Sequence, residues 1–274
     1  MALSERTPTA ASTVPRPLGE ADFSRVLAIL TDVDGTLTTR DRLESATLAQ
    51  LERVARSGRK LVFVSGRPAG FGECWMRELP IDAAIVENGG LWFVREDGRI
   101  RKRYYQPEAE RLSARARLEA EVERVRRRVP GARLSADSAY AEVDLAIDHH
   151  EDVRLEEGAA TRIEELLRSR GVNAVRSSVH VNCWVGEFDK LRAARRLFAE
   201  SFGLKLGARD PRVVYVGDSF NDAPMFEAFS LSVGVGNVRD ILDRLPHPPR
   251  FITRRRQGAG WREAVRAVLQ ARAR

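Results

Sequence analysis

Short apolar runs with abrupt polar ends alternate along this chain with stretches whose apolar residues recur at helical spacing. Val26 to Leu30, Lys60 to Val64, Ala83 to Val86 and Arg212 to Val216 read as strands buried on both faces, as in a parallel sheet covered by helices. Between the first two, Leu43 to Ser57 places Leu43, Ala46, Leu48, Leu51, Val54 and Ala55 on one helical face, and Gly58 supplies a C-cap. Pro68 suits the first turn of a helix after the second strand. Leu91 to Val94 and Ile100 to Tyr104 flank Glu96-Asp97-Gly98, a hairpin signal. Later, Lys190 opens a helix through Ser201, Ala223 to Phe229 forms a short one, Leu231 to Val235 is a strand, and Ala259 to Ala271 closes the chain as an amphipathic helix.

The middle has a different rhythm. Glu108 to Val129 is a long charged helix stopped by Pro130-Gly131, and Ala141 to Asp148 alternates as a strand. Leu155 to Arg170 is a helix closed by Gly171, and Val172 to Arg176 and Val179 to Val185 are two more strands. Strand–helix alternation interrupted by a helix–strand–helix–strand–strand block predicts an α/β core with an inserted α+β module. The expected boundaries are a core at 23–104 and 187–274 and an insert at 105–186. Residues 1–22, rich in Ser, Thr, Pro and Ala, read as a disordered tail rather than a secretory signal.

Composition narrows the classes. With 274 residues and 43% hydrophobic content, the chain can bury a sizeable core, and no apolar run approaches a membrane span. Its net charge of +7 raises nucleic-acid binding, but the arginines interleave with acidic residues from Arg111 to Arg128, as on a solvated helix face. Arg254-Arg255-Arg256 is the tight basic cluster outside that helix, and there is no zinc-finger spacing or aromatic-studded RNA-binding strand. No nucleic acid and no membrane partner are therefore expected. Cys74 and Cys183 form neither a disulfide framework nor a paired metal motif, so a reducing cytoplasm is the expected compartment.

The candidate chemistry lies at strand ends, where open parallel sheets carry their sites. Asp32 and Asp34 end the first strand and would point the same way. Two such carboxylates repel unless a cation sits between them, and a divalent metal with oxygen ligands is one solution. A plain Asp-x-Asp-Gly turn is the other. A calcium loop fits poorly, because Leu43 stands where a closing glutamate belongs. Ser65 and Gly66 offer a hydroxyl and backbone N–H groups to an anion at the second strand end. Lys190 at a helix start, and Asp218, Asn221 and Asp222 after the 212–216 strand, complete the set. His149-His150 has no third ligand nearby and is expected to be exposed.

Asp-Val-Asp-Gly-Thr-Leu-Thr at 32–38, Ser65-Gly66-Arg67-Pro68, Phe188-Asp189-Lys190 and Gly217-Asp218-Ser219-Phe220-Asn221-Asp222 resemble, in order, the four motifs of the haloacid dehalogenase superfamily. Glu87-Asn88-Gly89-Gly90 and the inserted module look like its subfamily IIB, with a large α+β cap between the second and third motifs. That subgroup includes sucrose-phosphate, trehalose-phosphate and mannosylglycerate-phosphate phosphatases, and phosphomannomutases.

The resemblance implies a Rossmann-like core with a doubly wound parallel sheet. It also implies a Mg2+-dependent phosphatase acting on a small phosphate ester, most readily a sugar phosphate, through an aspartyl-phosphate. Asp32 would be the nucleophile, Asp34 the general acid/base, and Lys190 a neutralising charge. Ser65, Gly66, Arg67 and Asn221 would hold phosphate. Mg2+ would be bound by Asp32, Asp218 and the backbone carbonyl of Asp34, with Asp222 orienting Lys190 or a metal-bound water. The dehalogenases lack the second aspartate of the first motif, so Asp34 points to phosphate chemistry. Arg176, His180, Asn182 and Trp184 are the cap candidates for specificity, with His180 and Trp184 also plausible as cap-strand core. A phosphomutase of the phosphomannomutase type or a catalytically silent binding protein is the alternative, and the chain is expected to be a monomer or homodimer.

Overall fold

A computed structural model describes residues 14–177 and 179–271. In chain order the elements begin with β1 (Arg16–Pro17), β2 (Ala28–Thr31), α1 (Ser45–Arg56), β3 (Lys60–Val64) and α2 (Ala69–Glu78). β4 (Ala83–Val86), β5 (Leu91–Glu96), β6 (Arg99–Tyr104), α3 (Glu108–Arg128), β7 (Arg133–Leu134), β8 (Leu145–Asp148) and α4 (Ala159–Arg168) follow. The chain then continues through β9 (Asn173–Arg176), β10 (His180–Trp184), α5 (Lys190–Ser201), β11 (Val213–Gly217), α6 (Ala223–Ala228), β12 (Leu231–Gly234), β13 (Phe251–Ile252) and α7 (Gln257–Gln270).

Nine strands form one sheet in the order β1-β13-β12-β11-β2-β3-β4-β5-β6. The chain winds one way from β2 through β3 to β4, and the other way from β11 through β12 to β13. β2 and β11 pair at the point of reversal, Thr31 beside Val216, where the crevice of an open sheet forms. The β1-to-β4 side is the expected parallel sheet, and β5 and β6, the expected hairpin, extend it antiparallel at one edge. The cause is two short connections, Glu87–Gly89 between β4 and β5 and Asp97-Gly98 between β5 and β6, which leave no residues for a crossover helix.

Alternation along β2 supplies both faces. Ile29 joins Leu51, Val54, Met76, Trp261 and Val265 in one apolar layer. Ala28 and Leu30 join Ala194, Leu197, Phe198 and Phe226 in the other.

A second, antiparallel sheet has the order β7-β8-β10-β9. Leu145, Ile147, Val181 and Cys183 of its inner face pack with Leu118, Val122, Val125, Ile163 and Leu167 of α3 and α4. The alternate positions, Ala146 opposite Asn182 and Asp148 opposite His180, therefore lie on the uncovered face. The chain returns to the larger sheet through Trp184, which stacks on Phe188 and donates to its carbonyl at 3.0 Å.

Three expectations need correction. Residues 14–20 are ordered, not a tail: Arg16 and Pro17 pair with Phe251 and Ile252, and Leu18 is buried. Polar composition hid this, because Arg16 lies over the Phe251 ring at 4.6 Å and one leucine makes the apolar contact. Residues 1–13 of the expected tail lie outside the described residues. The strand expected over 141–148 is paired only from Leu145. The N–H groups of Glu142, Val143 and Asp144 instead donate to the carboxylate of Glu87. Finally, α4 starts at Ala159 rather than Leu155, after Gly158 in a left-handed conformation.

Candidate active site

The carboxyl ends of β2 and β11 gather the chemistry. The Asp32 N–H donates to the Val216 carbonyl at 2.8 Å, so the ladder runs one residue past β2 and fixes where the Asp32 side chain begins. On the far side, the Asp189 carboxylate accepts from the Arg192 N–H at 2.7 Å and caps α5. Lys190 is thereby the first residue of α5 and is buried against the sheet end. Gly89, at φ +101°, permits this approach, since a Cβ there would stand 2.3 Å from the Asp189 carbonyl oxygen.

Lys190 Nζ donates to Asp32 Oδ1 at 2.9 Å and to Asp222 Oδ1 at 3.1 Å. Tyr215 also donates to Asp222 Oδ1, while Asp222 Oδ2 accepts the N–H groups of Asp218 and Ser219 at 2.9 and 3.0 Å. Asp222 is thus fully engaged in shaping the turn and aiming Lys190. Asp218 accepts from Thr36 Oγ1 at 2.8 Å and from Asn237 Nδ2 at 2.6 Å. Gly35, at φ +77°, makes room for it: a Cβ there would lie 2.8 Å from Asp218 Oδ2.

The electrostatics follow from burial. Burial raises the Asp32 carboxyl well above the usual carboxylate range; Lys190 opposes the rise, and the charges of Asp222, Asp218 and Asp34 add to it. Asp218 is pushed up to about 7, by burial first and by Asp222 second. Burial disfavours the Lys190 ammonium, but Asp222 and Asp32 outweigh that and hold its proton more tightly than usual.

Oxygens of Asp32, Asp218 and Asp222 lie within 4.8 Å of one another. Three carboxylates around one ammonium leave excess negative charge, and the donors are hard oxygens, so the set fits Mg2+. The Asp222 oxygens are already spent on Lys190, Tyr215 and backbone N–H groups, which leaves Asp32 and Asp218 as the side chains able to hold the ion.

Asp34 is expected to offer a metal its backbone carbonyl, which leaves its side chain free for another partner. Its carboxylate is not in that cluster but meets Arg67 in a two-pronged ion pair, Nε to Oδ2 at 3.0 Å and Nη2 to Oδ1 at 3.1 Å. The same guanidinium reaches Asp137 Oδ2 on the insert at 3.2 Å. Arg67, expected on phosphate, is therefore occupied by carboxylates on both sides of the crevice. Ser65 Oγ accepts from the Arg67 N–H at 3.0 Å and, with Gly66, lines the cavity. Asn221, expected near Lys190 or phosphate, accepts from Ser219 Oγ at 2.6 Å and faces the cavity. Its neighbour's hydroxyl is simply closer.

That cavity, of about 500 Å³, lies between the strand ends and the open face of the second sheet. His180 and Asn182 line it, as does His150, whereas Arg176 bonds Thr161 and Trp184 packs into the apolar core. Asn237, Thr36 and Asp137 escaped sequence reasoning. Asn237 follows a Val-Gly-Val-Gly strand end, the same kind of position as Asp32 and Asp218, and that placement was its available signal.

A mixed α/β sheet with carboxylates at its point of reversal, facing an inserted α+β module, defines a haloacid dehalogenase-like fold. The model of the haloacid dehalogenase-like hydrolases matches residues 29–115. A Thermoplasma acidophilum protein superimposes with a TM-score of 0.68 at 22% identity, covering 89% of this chain and 98% of its own. The trehalose-6-phosphate phosphatase C-terminal domain of C. albicans gives 0.65 at 14% identity, over 90% and 92%. The sucrose-phosphatase of Synechocystis, in complex with sucrose and phosphate, gives 0.62 at 16% identity, over 89% and 98%. Over these lengths the chain shares the haloacid dehalogenase-like fold, and its residues 29–115 match the model of that hydrolase family.

Proposed function

We propose that this chain is a Mg2+-dependent phosphatase that hydrolyses a small phosphate ester, foremost a sugar phosphate, through a phosphoryl group carried on Asp32. The observation that carries the reading is Lys190 bridging Asp32 and Asp222 at the strand ends, with Asp218 within metal-sharing distance. A nucleophile, a neutralising cation and an oxygen-donor metal site then share one crevice.

Asp32 attacks phosphorus, and the bond to the leaving oxygen breaks with its electron pair on that oxygen. Asp34 gives the leaving oxygen a proton. In the second step water attacks phosphorus, Asp34 takes its proton, and the bond to Asp32 breaks. Arg67 holds both Asp34 oxygens, so a proton on Asp34 requires the fork to release one, and an arriving phosphate offers the guanidinium another partner. Ser65 and Gly66 cradle the non-bridging oxygens, and Lys190 offsets the charge that builds between two anions. Asp32 and Asp218, with the Asp34 carbonyl, would hold Mg2+, whose contribution is to neutralise charge and polarise the phosphoryl oxygens.

The insert faces the cavity with Asp137 and Glu151, a poor surface for the second phosphate that a phosphomutase must bind. Phosphate release from a panel of sugar and polyol phosphates, with and without Mg2+, tests the reading. Metal-dependent release from one or a few members is the expected result. Release that ignores chelation contradicts the metal assignment, and transfer of phosphate within a sugar without release favours the mutase.

A further inference from the structure

If Asp32 takes the phosphoryl group, the leaving group lies in the cavity beneath the open face of the β7-β8-β10-β9 sheet. Asn182 stands on that face at 6% exposure. It lines the cavity, and its side-chain amide has no hydrogen-bond partner among the described residues. Its Nδ2 lies 3.4 Å from where a Cβ on Gly66 would stand, so it points at the anion-binding turn. The amide opens to the cavity rather than to a protein partner, so its donor and acceptor are available to a polar ligand there.

The walls around it are built, and they are acidic. Ser135 Oγ donates to Asp137 Oδ1 at 2.7 Å, and Arg67 holds Asp137 Oδ2. The Asp148 carboxylate accepts the N–H groups of His150, Glu151, Asp152 and Val153, folding the loop that presents Glu151. Glu151 Oε2 meets His180 Nε2 at 2.7 Å, and its other oxygen lies 4.0 Å from Arg67. Arg67 is shared among Asp34, Asp137 and Glu151, so beyond the reacting phosphate it has no fork free for a second anion. Arg40 and Asp41, side by side in the tight turn closed by Thr39 and Arg42, add one charge of each sign.

We infer that Asn182, Asp137 and Glu151 select a leaving group that is uncharged and hydroxyl-bearing, and reject one with a second anionic substituent; this rests on the phosphatase reading above. A carboxamide both donates and accepts, which suits a hydroxyl. Carboxylates accept from hydroxyls and repel carboxylates and phosphates, so one pair of walls supplies attraction and exclusion together.

The test uses the full chain with Mg2+ and four ester types: neutral sugar and polyol monophosphates, their phosphorylated sugar-acid counterparts, sugar bisphosphates, and p-nitrophenyl phosphate. The best neutral ester is expected to exceed its acid and bisphosphate counterparts at least tenfold in kcat/KM. Asn182→Ala, with Asn182→Ser as the milder variant should alanine fail to fold, is expected to lower kcat/KM for that ester at least tenfold more than for the aryl ester. Asp137→Asn with Glu151→Gln is expected to narrow the neutral-to-acid ratio at least threefold. Preference for an acid or bisphosphate, equal losses on sugar and aryl esters, or turnover of the aryl ester alone overturns the inference while leaving the phosphatase standing. No release from any ester contradicts the phosphatase reading itself, and the inference with it.

Discussion

Lys190 solves a problem that the two strand ends create, since Asp32 and Asp222 are both buried and share one ammonium between them. Asp218 has only hydroxyl and amide donors, and burial and the Asp222 charge hold its carboxyl high in spite of them. Replacing Asp218 by Asn is therefore expected to raise the Mg2+ concentration for half-maximal activity by roughly tenfold or more, given the loss of a charged oxygen ligand. An unchanged metal titration removes Asp218 from the metal site. Arg67 makes a different prediction. Lysine keeps the charge but not the fork, so Arg67→Lys is expected to lower kcat/KM by roughly tenfold. Steady-state rates equal to wild type would show that the two-pronged contact with Asp34 is dispensable.

At this scale the sequence made Asp32, Lys190, Asp218 and Asp222 legible, because each ends a buried strand or opens a helix. Asn237 and Thr36 were harder to find: each acts on Asp218 across 19 and 182 residues of sequence, respectively. The pairing of Arg67 with Asp34 and Asp137 was equally hidden, since it depends on how the insert sits over the core.

Among the elements, the turn after β4 does more than connect β4 to β5. Glu87 and Asn88 take positive φ angles of 48° and 55°, and the buried Glu87 carboxylate gathers N–H groups from Ala69, Glu142, Val143 and Asp144. Asn88 donates to the buried Asp144 at 2.8 Å. One core turn thereby holds both the start of α2 and the approach to β8. Glu87→Ala strands those donors, so a loss on the order of 3 kcal/mol is expected in chemical denaturation. A loss within 0.5 kcal/mol, the range of an ordinary surface change, would contradict this role. Periodicity located nearly all the long elements: α5 runs over Lys190–Ser201 as its apolar spacing predicts. It overextended β8 because residues 141–144 alternate like a strand while their N–H groups serve Glu87. It missed β1 and β13, since two-residue strands carry too few side chains to show a period.

For the whole molecule, the crevice charge links stability to pH and metal. Asp218 sits at about 7 against an ordinary value of 3.8, so the folded chain keeps a proton that the unfolded chain releases. Its stabilising contribution is fully present below about 4 and is lost as pH rises through 7. In chelator, Tm of the wild type is expected to fall across that window relative to Asp218→Asn. Mg2+, which binds the carboxylate, is expected to raise Tm more at pH 8 than at pH 5. Parallel Tm profiles for the two proteins would contradict the linkage.

The central claim is that Asp32 carries the phosphoryl group. Enzyme in excess over a turned-over ester, quenched in acid within the first turnover and digested, is to be read by mass spectrometry at the peptide containing Asp32. A phosphoryl group on Asp32, absent from Asp32→Asn protein whose phosphate release has dropped by roughly 10³-fold or more, is the predicted result. Phosphate release at wild-type rates by Asp32→Asn, with no phosphoryl group on that peptide in either protein, would contradict it.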